Sequence, residues 1–201
     1  IRIGDWSSDV CSSDLMEKCR HMKNTYELIA PCHFGLESVL KREIYDLGYD
    51  ISKVEDGKVT FIGDADAIAR ANIFLRTAER VLLKVGEFKA TTFTELFDNT
   101  KELEWEEFIP KNGKFWVTKA NSINSKLFSS SDIQSIVKKA IVERLKVKYA
   151  VNWFEEDGNS YPIRVSLMKD VVTISLDTSG DSLHKRSEER RVGKECRSRW
   201  S

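Results

Sequence analysis

No two glycines in this 201-residue chain lie closer together than Gly57 and Gly63. Sites that cradle a phosphate or S-adenosylmethionine need closely spaced glycines so that backbone amides can approach the ligand, and no such loop is present. The three prolines, Pro31, Pro110 and Pro162, follow Ala30, Ile109 and Tyr161. The Asn/Asp-Pro-Pro-aromatic motif of base-modifying amino-methyltransferases is therefore missing. His21, His33 and His184 are scattered, and Cys11, Cys19, Cys32 and Cys196 show no CxxC spacing, which argues against a metal centre or a disulfide framework. No apolar run approaches the roughly 18 residues of a membrane span, and no signal-peptide core follows a basic start. The chain reads as cytoplasmic, with no catalytic, cofactor-binding or metal-binding residue of its own. Nor is there an excess of one charge: 32 Lys+Arg balance 32 Asp+Glu. A polyanion binder recognised by bulk charge would be strongly basic, so any such partner must be met by uneven local charge.

Both ends read as foreign. WSSDVCSSDL, Trp6 to Leu15, and RSEERRVGKECRSRWS, Arg186 to Ser201, have little to bury and no periodicity. They resemble translated sequencing-adapter sequence, so residues 1–21 are expected to be a non-native or disordered leader and 187–201 a non-native tail. The native start is placed at Met16 or Met22. In the interior, Cys32 precedes His33, but adjacent strand residues face opposite ways, so a structural thiol is expected rather than a Cys-His nucleophile.

From Tyr26 to Phe88 the hydrophobic period switches in order. YELIA, Tyr26 to Ala30, reads as a strand, and Gly35 to Leu47 as a helix with Leu36, Val39, Leu40, Ile44 and Leu47 on one face, stopped by Gly48. Ile51–Glu55 and Lys58–Ile62 read as a hairpin about Asp56-Gly57. Asp64 caps a second helix, whose buried stripe includes Ile68, Ala71, Leu75 and Ala78. Arg80–Phe88 closes a β-α-β-β-α-β set, the ferredoxin-like arrangement of an α+β fold.

Beyond Lys89 the charge separates. Glu95 to Glu107 holds six acids against Lys101, a net of −5, and reads as an acidic helical segment with Leu96, Phe97 and Trp105 available for packing. Lys111 to Lys148 holds nine bases against Asp132 and Glu143, a net of +7. Within it, Lys114–Ala120 reads as a strand, Asn121–Ser131 as a loop, and Ser131-Asp132-Ile133-Gln134 as a capping box opening a helix. Lys139 and Lys146 share its outer face. Arg144 falls near the apolar sector, so either its stem packs or the helix bends. Exposed aromatics for base stacking are not obvious, since core positions account for Trp116 and Phe128 equally well. Ile163–Leu167 and Val171–Leu176 form a hairpin about Met168-Lys169-Asp170, and DTSGDSLHKR, Asp177 to Arg186, is a polar loop. Lysines with interleaved Ser and Asn suit a phosphate backbone. A solvated amphipathic helix has the same composition.

The ordered set YELIAPCHFGLESVLKREIYDLGY, VEDGKVTFIGD, ANIFLRTAERVLLKVGEF, NSKLFSSSDIQSIVKKAIVERL and DTSGDSLHKR resembles the amino-terminal half of bacterial THUMP-domain RNA methyltransferases that modify the exocyclic amine of guanine in 23S rRNA. The resemblance implies a ferredoxin-like domain at 22–90 and an α/β THUMP domain at 91–186, followed in relatives by a Rossmann-like catalytic domain that uses S-adenosylmethionine. That domain is expected to be missing here, so the chain is expected to be an RNA-binding fragment whose partners are structured RNA, 23S rRNA above all, and the absent domain. By position, the resemblance implies RNA contacts at Lys119, Ser122, Lys126, Ser129, Lys138, Lys139, His184, Lys185 and Arg186. Two other readings stand beside it: a protein-interaction platform, and a fragment of a tRNA-thiolating THUMP enzyme.

Overall fold

The computed structural model describes residues 25–185 apart from Asn152, Glu155 and Asp181. The expected leader, native start and tail lie outside the described residues. The elements run β1 (Tyr26–Pro31), α1 (Glu37–Asp46), β2 (Asp50–Glu55), β3 (Lys58–Gly63), α2 (Ala65–Phe74), β4 (Leu82–Lys89), α3 (Phe93–Glu102) and a 3-10 turn at Trp105–Glu107. β5 (Lys114–Ile123), α4 (Ser130–Tyr149), β6 (Ser160–Met168), β7 (Val171–Asp177) and a 3-10 turn at Leu183–Lys185 complete them. The fold is α+β, as the sequence implies.

All seven strands join one sheet in the order β2-β3-β1-β4-β7-β6-β5. The antiparallel β4–β7 ladder fuses the ferredoxin-like half to the rest, and β5 runs parallel to β6. Strand alternation puts Leu28, Ala30, Val59, Phe61, Ile163, Val165, Val172 and Ile174 into a single buried cluster with the helices. The opposite face of the sheet has no helix over it among the described residues.

Several boundaries differ from the sequence reading for identifiable reasons. Helix α1 starts at Glu37, not Gly35, because the Glu37 carboxylate accepts the N–H groups of Gly35 at 2.8 Å and Gly57 at 2.9 Å. Those amides hold its carboxyl below the usual carboxylate range and pin the helix start to the β2–β3 turn. α2 is capped by Asp64 as expected, but it ends at Phe74, so Leu75 and Ala78 bury from the segment beyond it. β4 begins at Leu82 rather than Arg80. The capping box lies at Thr92 and Glu95, at the start of α3, not at Ser131. α4 starts at Ser130 with Ser129 as its N-cap and no side-chain cap hydrogen bond, which leaves Ser131 inside the helix. β5 extends through Ile123, since Asn121–Ile123 stay paired with Ser166–Met168, so the loop is shorter than read. The β6–β7 turn holds two residues, Lys169 and Asp170, both at positive φ.

The acidic and basic segments meet one another. α3 packs on α4, where Lys101 Nζ lies 3.3 Å from Glu143. Arg144 donates from Nε (3.2 Å) and a terminal nitrogen (2.9 Å) to the two oxygens of Glu106, and Lys148 reaches the same carboxylate at 3.2 Å. α4 runs on as helix past Arg144, which is half-buried and held by this forked pair. Chiefly through the Arg144 hydrogen bonds, the Glu106 carboxyl falls from 4.5 to about 2. A folded-state value below the unfolded one contributes stability above pH 4.5 that is lost as pH falls towards 2. Glu106→Gln is therefore expected to flatten the decline of Tm with pH in that window, as measured by calorimetry across it.

Candidate nucleic-acid interface

Of the nine residues singled out from sequence, the eight within the described residues divide among four places. Lys138 and Lys139 are exposed on α4, away from the buried Ile133, Val137, Ala140 and Ile141. Neither has an ion pair among the described residues. Lys139 Nζ lies 5.9 Å from the Phe97 ring centroid, and Lys101 shares the same ring at 5.8 Å. Lys146 is exposed as well. After Arg144 and Lys148 are spent on Glu106, these lysines carry what remains of the positive charge on α4.

Ser122 lies near the end of β5, and Lys126 and Ser129 belong to the turn from β5 into α4, which is held at several points. Leu127 is buried, and its carbonyl accepts the Ser122 hydroxyl. The Lys126 N–H donates to Asp170 at 2.8 Å, and the Asp170 N–H donates to Ser125 at 3.0 Å. Ser129 and Ser131 hydroxyls lie 3.3 Å apart. On this fixed turn the Phe128 ring is 86% exposed, which places it outside the core. Trp116, on β5, is 36% exposed and also is not core.

Lys119 stands apart from both groups. It pairs in register with Arg164 on the uncovered face of the sheet, whereas α4 covers the other face. The structure therefore does not bring Lys119 together with Lys138 and Lys139.

The final motif is a clasp rather than a free loop. Asp177, with its side chain 3% exposed, accepts from Arg80 at 2.7 Å and Arg164 Nε at 3.1 Å. Arg80 also donates to the Gly180 carbonyl at 2.7 Å and the Ser182 hydroxyl at 2.8 Å. Ser179 accepts the Val81 N–H and donates to Asn72, both at 2.8 Å, while Thr178 donates to the Val81 carbonyl. Sequence reasoning missed Asn72 and Arg80, whose partners lie about a hundred residues away. His184 falls in the last 3-10 turn, Lys185 is exposed, and Arg186 lies outside the described residues.

Cys32 is 8% exposed, and burial pushes its thiol up, with Glu37 and Glu79 adding to the shift. His33 faces Glu79 at 3.4 Å. A thiolate nucleophile is disfavoured, as expected.

Residues 27–82 match the RlmL ferredoxin-like domain, and residues 90–177 match the THUMP domain. A Bacillus subtilis (strain 168) protein named as an RNA methyltransferase, YpsC, is 53% identical over 163 residues, which are 80% of this chain and 42% of that protein. The ribosomal RNA large subunit methyltransferase K/L of Marinomonas sp. (strain MWYL1) is 23% identical over 177 residues, covering 87% of this chain and 24% of the relative. Among solved structures, SMU.472, described as a methyltransferase complexed with SAH, aligns with a TM-score of 0.78 at 42% identity, over 82% of this chain and 44% of that one. The chain thus spans less than half the length of each of these relatives. It is built of an RlmL ferredoxin-like domain and a THUMP domain, and its homologues are RNA methyltransferases.

Proposed function

We propose that the chain is the RNA-binding, substrate-positioning part of a larger S-adenosylmethionine-dependent methyltransferase acting on the exocyclic amine of a guanine in 23S rRNA. The domains are assigned to 22–90 and 91–186. The observation that carries the reading is a THUMP domain whose long helix exposes Lys138 and Lys139 without carboxylate partners among the described residues. Such ammonium groups neutralise phosphates and release counterions without reading sequence, while folded RNA is distinguished by its shape. Phe128, held out on a fixed turn beside Lys126, adds a ring on which an unpaired base stacks. The names of the relatives favour methyl transfer over thiolation.

The described residues do not fit the methyl donor. α2 and α3 are capped by the side chains of Asp64 and Thr92, Glu37 already accepts the Gly35 N–H ahead of α1, and the turn from Ile123 to Ser129 that opens α4 contains no glycine. No glycine-rich turn connects a strand to a helix among them. S-adenosylmethionine is therefore assigned to the larger enzyme, and none of this chain's steps runs through it.

Binding of the chain to a folded 23S rRNA fragment, followed by fluorescence anisotropy, is expected to weaken steeply between low and physiological salt. Lys138→Glu with Lys139→Glu is expected to lower affinity by roughly tenfold or more and to reduce the salt slope by about 2. Equal affinity and slope for wild type and double variant would remove the helix from the interface.

A further inference from the structure

The uncovered face of the sheet contains a recess of about 140 Å³ where the two domains join. Its apolar floor is Ile29 and Leu82, which are cross-strand partners in β1 and β4 and lie within the match to the ferredoxin-like domain. Both are buried but stand outside the cluster that packs under the helices. Lys58 enters from β3, while Lys119 and Arg164 enter from β5 and β6 of the THUMP domain. Neither domain forms this recess alone.

The charge here is one-sided. Three cations line the recess, and no carboxylate does among the described residues. Glu55 reaches Lys58 at 3.0 Å, and Asp177 meets only Nε of Arg164, both from outside the lining. Lys119 has no ion pair among the described residues. Immediately beside the recess, by contrast, Glu27 and Glu87 compensate Lys84. Lys58 and Arg164 thus each keep a carboxylate partner, and among the recess cations Lys119 alone is uncompensated within the described residues.

The backbone shows how Lys119 arrives there. Val117 pairs with the buried Ile163, so strict alternation would send Lys119 to the helix-covered side. A bulge between Val117 and Lys119 sets two residues against one and turns Lys119 onto the face of its partner Arg164. Thr118, the extra residue, donates its hydroxyl to the Ile163 carbonyl at 2.9 Å, which anchors the irregularity. Asn121 and Ser166, paired across β5 and β6, add an amide and a hydroxyl to the same lining. Cations above an apolar floor, with neutral donors and acceptors at the side, match a phosphate attached to a sugar and a flat base.

We infer that this recess holds one phosphate-bearing nucleotide of the bound RNA, with Lys119, Arg164 and Lys58 on the phosphate and Ile29 and Leu82 under the nucleoside. The inference rests on the RNA-binding reading and separates from it under test. Lysine acetylation of the full chain, mapped by mass spectrometry, is read with the folded rRNA fragment, with GMP and with inorganic phosphate as probes. RNA is expected to protect Lys119 and Lys58 while leaving the exposed Lys111 reactive. Lys119→Glu is expected to weaken RNA binding by roughly tenfold, beyond the loss from the α4 double variant. Lys119 is exposed, so its variants are expected to keep the wild-type Tm, and Lys119→Ser gives the same direction with a smaller loss.

RNA binding with Lys119 and Lys58 labelled at their free rates overturns the inference and leaves the RNA reading intact. Protection by GMP without any RNA binding overturns the RNA source and marks a free-nucleotide site. Protection by phosphate as complete as that by GMP overturns the nucleoside part. Absence of protection by every probe overturns the site.

Discussion

Trp105→Ala is expected to lower stability by about 3–5 kcal/mol, read as a lower midpoint in urea with an unchanged slope. The indole is fully buried, in the cluster that includes Leu96, Ile109, Val137, Ile141 and Leu145. Its Nε1–H donates to the Thr100 carbonyl at 2.7 Å, closing the end of α3 onto the 3-10 turn. Truncation would empty a large volume between α3 and α4, and it would leave a buried carbonyl without its donor. Trp105→Phe separates the two contributions: it keeps most of the apolar contact and loses the hydrogen bond, so about 1–3 kcal/mol of the loss is expected to remain. Because Trp105 also positions the neighbouring Glu106, the alanine variant is expected to weaken the Glu106–Arg144 pair, visible as a smaller acid dependence of Tm.

Asp177→Ala is expected to cost about 2–3 kcal/mol. Removing one partner from a buried charged cluster costs about 3–5 kcal/mol; the figure here is lower because Arg80 and Arg164 keep side-chain exposures of 17% and 26%. The carboxylate is the shared acceptor of two guanidiniums and of the Ser179 N–H, so its loss releases β6, the segment before β4 and the final loop together. Asp177→Asn retains an acceptor without the charge and is expected to fall between wild type and alanine. A cycle with Arg80→Gln measures the coupling; additive losses would show that the clasp does not act as a unit.

The clasp also marks where sequence reasoning stopped. Period-two and period-3.6 patterns gave β1 to β4 and the four helices, because those signals are local and the apolar residues that carry them, such as Leu40 and Ile44 or Val59 and Phe61, do end buried. Asp177 and Arg80 are also plain in the sequence, but what joins them is the β4–β7 ladder, which no local pattern announces. Lys119 illustrates a different limit. Its lysine was legible as a candidate, yet its separation from Lys138 follows from a single extra residue in β5 and from α4 lying on the other face. Thr92 and Ser131 make the same point for caps: both begin an S/T-x-x-E/Q pattern, and only Thr92 stands at a helix boundary, because α4 has already begun when Ser131 is reached. Phe128 stayed undecided between core and surface because an isolated aromatic between polar residues has no periodicity to say which side of the surface it occupies.

The central β4–β7 ladder bears on how the chain reaches this shape. Leu82 pairs with Asp177, a partner almost half the chain away, while β1, β2 and β3 lie close in sequence. Closing so distant a pair costs loop entropy before any contact compensates it, and the parallel β5–β6 ladder must likewise wait for α4 to be laid down between its strands. The local βαββ unit is thus placed to form early and β7 to enter late, slotting between β4 and β6 to complete the sheet. The recess shared by Lys58 and Lys119 comes into being only at that last step, so its presence reports that folding has finished.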